Sequence, residues 1–176
     1  MIVISDTTPL NYLIQIEHTF VLRELYSRVI IPQAVKEELR SDAAPVAVKT
    51  WIRHPPDWLE VQPVSRNDAA LNRLGAGERE AILKAQELLA DALIIDERAG
   101  RLEANRRSLR VIGTLGVLDS AAERRLIDLP RTIERLVQTS FRADPKLVQS
   151  FLDRDAARNQ QRQEQNRERP SPELEP

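Results

Sequence analysis

Cysteine is absent and histidine occurs only as His18 and His54, so the chain has no disulfide framework and little with which to build a soft or imidazole-rich metal site. Aromatic residues make up 4% of the sequence, which leaves little for base stacking beyond what a core or an interface needs. No uninterrupted apolar segment is long enough to cross a bilayer, and no signal-peptide pattern opens the chain, so no membrane association is expected and the cytoplasm is the default compartment. Charge of one sign is not in excess either. The formal net charge is −1 although 30% of residues are charged, so any affinity for nucleic acid has to come from local patches. At 176 residues the chain can bury one full hydrophobic core and is short for two.

Two apolar runs end in a carboxylate, Ile2-Val3-Ile4-Ser5-Asp6 and Leu93-Ile94-Ile95-Asp96. Runs of this kind, without alternation of period two, read as strands buried on both faces of a parallel sheet, and open α/β sheets bind ligands outside the carboxyl ends of their strands. Asp6 and Asp96 are therefore expected on one rim. Strand candidates at Ile2 to Ser5, Val29 to Ile31, Leu59 to Val61, Ala92 to Ile95 and Arg110 to Ile112 alternate with helical patterns, the signature of a parallel α/β fold. Strand order is not readable at this level.

Two further acids lie on inward helix faces. Pro32 can open a helix in which Val35 and Leu39 mark the buried stripe. At 100° per residue Glu38 lies about 60° from Val35 and Glu37 about 160° away, so Glu38 faces in and Glu37 faces water. Glu78 continues the stripe of Ala81, Ile82, Ala85, Leu88 and Leu89 toward the N-terminus of its helix, whereas Glu80 and Glu87 lie off it. A single such acid is commonly a helix cap or an ion-pair partner. Four acids converging from separate elements would repel one another unless a cation lay among them, and an all-oxygen donor set selects Mg²⁺ or Mn²⁺. Sites of that type commonly act on phosphate esters, where the ion lowers the pKa of a bound water and stabilises phosphoryl charge.

Near this rim Arg98, Arg101, Arg106, Arg107 and Arg110 form a basic segment with Glu103 as its only acid. For Arg106, Arg107 and Arg110 a solvated, ion-paired helix face is the better reading. Arg101 lies one turn beyond Asp96 and Glu97, close enough to orient a carboxylate or bind a phosphate. Thr7 and Asn11 are candidates to hydrogen-bond Asp6 or substrate, and Thr114 to cap a helix or bind phosphate. Thr8 reads as the cap of the helix that Pro9 begins. Asp119 reads as a helix-surface residue. After Pro130 the pattern is helical, with stripes at Ile133, Leu136 and Val137 and at Leu147, Val148, Phe151 and Leu152. From about Asn159 to Pro176 the chain is polar, and it is expected either to lack fixed structure on its own or to prolong a helix that frays.

Taken in order, Ser5-Asp6-Thr7-Thr8-Pro9-Leu10-Asn11, Ile30-Ile31-Pro32 to Glu38-Leu39, Gly77-Glu78-Arg79-Glu80-Ala81-Ile82, Leu93 to Arg101, and Ile112-Gly113-Thr114-Leu115-Gly116-Val117-Leu118 resemble the PIN-domain nucleases of the VapC-like toxin type. The resemblance covers Met1 to about Leu129. It implies a three-layer αβα sandwich with C-terminal helices, a Mg²⁺ or Mn²⁺ site made by Asp6, Glu38, Glu78 and Asp96, and endoribonuclease activity. It further implies RNA as substrate and an antitoxin protein as partner, and a homodimer is the expected assembly. The expected organisation is a catalytic unit over 1–129, a helical extension over 130–158 and a tail over 159–176. Glu78 stands where many members carry Asp, and Asp96-Glu97 where many place Thr or Ser before the fourth acid, so Glu97 is a substitute for Asp96. The alternative from another functional class is an inactive PIN-like module that binds RNA or protein and uses its acids structurally.

Overall fold

In the computed structural model, which describes residues 1–168, five strands form: β1 (Ile2–Ser5), β2 (Arg28–Pro32), β3 (Leu59–Gln62), β4 (Ala92–Ile94) and β5 (Val111–Ile112). They make one sheet in the order β3-β2-β1-β4-β5, with every neighbouring pair parallel. The side chains divide by parity. Val3, Val29, Ile31, Ala92 and Ile94 enter one core, and Ile4, Ile30, Leu93 and Ile95 enter the other. Both faces are dry, which is why the strands read as continuous apolar runs rather than as alternating ones.

Against the first face pack α1 (Thr7–Gln15), α2 (Phe20–Leu25), α3 (Gln33–Arg40), α4 (Val46–Arg53), α7 (Thr114–Glu123) and α8 (Leu129–Val137). Against the second pack a 3₁₀ turn (Ala69–Leu71), α5 (Ala76–Glu87) and α6 (Arg98–Arg106). The result is the expected three-layer αβα sandwich. Truncating a fully buried side chain at its centre, such as Ile4 or Ile82, removes about 2–5 kcal/mol.

Sheet order positions the site. From β1 the chain moves outward to β2 and β3, then returns to place β4 on the other side of β1. The reversal lies between β1 and β4, and a crevice forms outside the carboxyl ends of strands at such a point. Ser5 is in register with Ile94, and the Asp6 N–H donates to Ile94 O at 2.9 Å. Asp6 and Asp96 therefore leave adjacent strands on one rim.

α9 (Pro145–Glu168) does not stand apart from this unit. Phe141 is buried and Val148, Phe151 and Leu152 pack on the first core. Asp119, read from periodicity as a surface residue, lies beneath α9, paired with Arg154 at 2.9 Å and Arg158 at 2.6 Å. Residues 159–168 continue the helix, and the remainder of the expected tail, 169–176, lies outside the described residues.

Candidate functional site

Asp6 follows β1 directly and occupies the N-cap position of α1, so Thr8 lies inside the helix rather than capping it. The Asp6 residue is 2% exposed. Burial raises its carboxyl from the ordinary 3.8 to about 7; the N–H of Thr7 opposes the rise, the charges of Glu78 and Glu38 add to it, and the N–H of Thr8 opposes it again. The two acids acting on Asp6 come from opposite helical layers, Glu38 from α3 and Glu78 from α5.

Glu38 is turned inward as its helical phase predicts, and Glu37 is exposed. Glu38 accepts from the Thr7 hydroxyl and, at 2.8 Å, from the N–H of Gly77. A Cβ on Gly77 would come within 2.5 Å of Glu38 Oε2 and 2.8 Å of Thr7 Oγ1, so only a glycine lets α5 approach this carboxylate. Glu78, one residue on, accepts from the Gly75 N–H at 3.0 Å through Oε2. Its Oε1 is buried with no hydrogen-bond partner, and a Cβ on Gly100 of α6 would lie 2.6 Å from that atom. Glu80, placed off the apolar stripe, turns out to be structural: it accepts from the Ala34 N–H at 2.9 Å and so satisfies an open donor at the start of α3. Periodicity weighs only apolar faces, and it carried no sign of this contact between helices.

Asp96 is held differently from the other three. Its carboxylate accepts from the Thr114 N–H at 2.8 Å and the Thr114 hydroxyl at 2.6 Å, at the first turn of α7. Burial raises its pKa, while the two Thr114 hydrogen bonds and the charge of Arg101 oppose the rise. Thr114 is fully buried, so it orients a carboxylate rather than presenting a free hydroxyl. Arg101 donates to Ile95 O at 3.0 Å, and a Cβ on Gly113 would lie 3.0 Å from both Arg101 Nη1 and Asp96 Oδ1. Glu97 is exposed as the N-cap residue of α6, and Arg98 is exposed beside it. Asn11 lines a small cavity with Thr7 and Glu38. Arg106 and Arg107 are ion-paired, Arg106 with Glu103 and Arg107 with Glu103 and Asp68, the bland role expected of them.

The fold thus gathers Asp6, Glu38 and Glu78 into one acidic group and holds Asp96 beside it on the same rim. Among the described residues, no three His, Cys, Asp or Glu side chains converge as a ready-made metal cage. Glu38 and Glu78 are each turned onto backbone N–H groups instead. The donor chemistry still fits a hard divalent cation: every donor is oxygen, Glu78 Oε1 is orphaned, and among the described residues no Lys or Arg forms an ion pair with Asp6, Glu38 or Glu78. Three glycines pressed against carboxylates, Gly77, Gly100 and Gly113, complete the cradle. Only Gly77 carries a sequence signal, its adjacency to Glu78; Gly100 and Gly113 have no acid beside them in the chain.

Compared with known proteins, residues 2–156 match the family described as DUF3368, PIN domain. No curated protein matches the sequence. Among solved structures the chain is similar to a PilT N-terminus domain protein from the hyperthermophilic archaeon Sulfolobus solfataricus P2, at 14% identity and a TM-score of 0.47, over 82% of this chain and 100% of that one.

Proposed function

The chain belongs to the PIN-domain family, whose members are generally nucleases, and from that footing we propose that it is a Mg²⁺- or Mn²⁺-dependent endoribonuclease acting as the toxin of a toxin–antitoxin pair. The observation that carries the proposal is the buried Asp6 carboxyl facing Glu38 and Glu78, with no Lys or Arg of the described chain paired to any of the three. Evolving such a group for stability alone makes little physical sense, because like charges brought together out of water oppose folding.

Asp6, Glu38, Glu78 and Asp96 would hold the cation, which when bound supplies positive charge for the scissile phosphate and makes a water acidic enough to attack it. The chain's own groups prepare that site. Thr7 and Gly77 orient Glu38, Gly75 anchors one oxygen of Glu78 and leaves the other open, and Thr114 fixes Asp96. Arg101, tied to Ile95 O through one nitrogen, keeps further N–H donors for a phosphate oxygen. Asp6 is buried and Glu38, Glu78 and Asp96 are half-buried, so the contacts of Asp6 act at a lower dielectric than on an open surface. The expected partners, an antitoxin that occludes the rim and a second copy of the chain, belong to the same proposal.

The test uses purified protein and end-labelled single-stranded RNA. Cleavage should stop with chelator, return with Mn²⁺, and be lost in Asp6→Asn and Asp96→Asn while both variants stay folded. Full activity of both variants would sink the assignment. Induced expression should arrest growth only while Asp6 is intact, and RNA binding without turnover in any metal would assign the fold to a binding module instead.

A further inference from the structure

A cleft of ≈ 540 Å³ lies between β5, α7 and the start of α9, and it opens at one end on Asp96 and Arg101. That volume is in the range of sites that take small ligands. Four arginines line it, Arg101, Arg110, Arg142 and Arg154, against two carboxylates, Asp96 and Asp119. Both carboxylates are already matched. Asp96 is held by Thr114 beside Arg101, and Asp119 by Arg154 and Arg158, with Asp155 balancing the second guanidinium.

Arg110 and Arg142 are therefore surplus charge. Both are exposed, and among the described residues neither forms an ion pair. Arg142 is steadied through Nη1 on the carbonyls of Thr139 and Phe141, which leaves its remaining N–H groups for a ligand. Arg110 precedes β5 and Gly113 follows it, so the positive line extends about 10 Å from the rim along this sheet edge. Apolar side chains also line the cleft, among them the buried Phe141 and the partly exposed Phe151, with the Arg154 guanidinium 5.1 Å from the Phe151 ring centroid.

We infer that this cleft is the track for single-stranded RNA running away from the acidic rim, with phosphates on Arg110 and Arg142 and an unstacked base against Phe151 and Arg154. The inference rests on the nuclease reading of the rim. Planar guanidinium forks suit phosphate oxygens, and a positive groove with an aromatic wall is how proteins hold single strands. A duplex would keep its bases stacked and could not use the apolar lining.

Fluorescence anisotropy with a labelled oligouridylate, in chelator and on the Asp6→Asn protein, tests the track apart from catalysis. Arg110→Gln with Arg142→Gln should weaken binding roughly tenfold and reduce the slope of log affinity against log salt by about 1.4, two phosphate contacts on a single strand. Arg23→Gln with Arg131→Gln, exposed and outside the cleft, should change neither. Unchanged affinity and slope in the cleft variant overturn the inference, as does an equal loss in the control or an absence of RNA binding by Asp6→Asn. If RNA cleavage fails in every metal but the cleft variant alone loses binding, the nuclease reading falls and the RNA track stands.

Discussion

Replacing Asp6 by Asn should stabilise the metal-free protein at neutral and alkaline pH. In the folded state burial, Glu78 and Glu38 raise this carboxyl from 3.8 to about 7. The folded state thus holds the proton more tightly than the unfolded chain does. Below about pH 4 the carboxyl is protonated in both states and costs nothing. Between about pH 4 and 7 the unfolded state gains by ionising first, so stability falls, and above pH 7 the full penalty applies. At about 1.4 kcal/mol per pH unit, the step from 3.8 to about 7 amounts to about 4 kcal/mol. Asn keeps the shape, but its amide adds a buried donor that costs about 1–3 kcal/mol unless Glu38 or Glu78 takes it. The net gain is expected near 2 kcal/mol at pH 8, a rise in Tm of about 4–8 °C for a chain of this size. Urea unfolding in chelator, followed by the fluorescence of Trp51 and Trp58, reads it directly. Mn²⁺ should reverse the order, since a cation among the acids favours the parent. Equal or lower stability of Asp6→Asn at pH 8 in chelator, or a gain that persists unchanged below pH 4, would refute the reasoning.

Gly100→Ala places a methyl group 2.6 Å from Glu78 Oε1, and it should lower stability by about 1–3 kcal/mol and reduce RNA cleavage, measured on the same samples. Asp119→Asn takes from Arg154 its anion and leaves Arg158 only Asp155, so with Arg154 largely exposed a loss of about 1–2 kcal/mol is expected in urea, with no change if the pairs are dispensable. Glu80→Ala should cost about 1–3 kcal/mol through the stranded Ala34 N–H, whereas Glu37→Gln, on the water side of α3, should stay within about 0.5 kcal/mol of the parent.

Much of this architecture is legible from the chain alone, because a strand buried on both faces has a distinctive composition. Strand positions from Ile2 to Ile112 could be read within a residue or two, and the parallel class followed from their alternation with helices. The inward phase of Glu38 followed from 3.6-residue periodicity, and the rim position of Asp6 from its place at the end of an apolar run. These are local properties, carried by a few consecutive residues.

Only the tertiary structure decided what depends on contacts between elements far apart in sequence. Strand order set the reversal between β1 and β4, and with it the neighbourhood of Asp6 and Asp96. It took the packed layers to separate the acids by role: Asp6 among Glu38 and Glu78, Asp96 turned to Thr114, Glu80 serving α3, and Asp119 sealed under α9. Thr8 lost the cap position to Asp6 because the helix begins at Thr7, two residues earlier than Pro9 suggests. A hydrogen bond between Gly77 and Glu38, or an ion pair between Asp119 and Arg158, joins residues 39 positions apart. No periodicity encodes such a pair, since the sheet and its covering helices must first bring the two segments together.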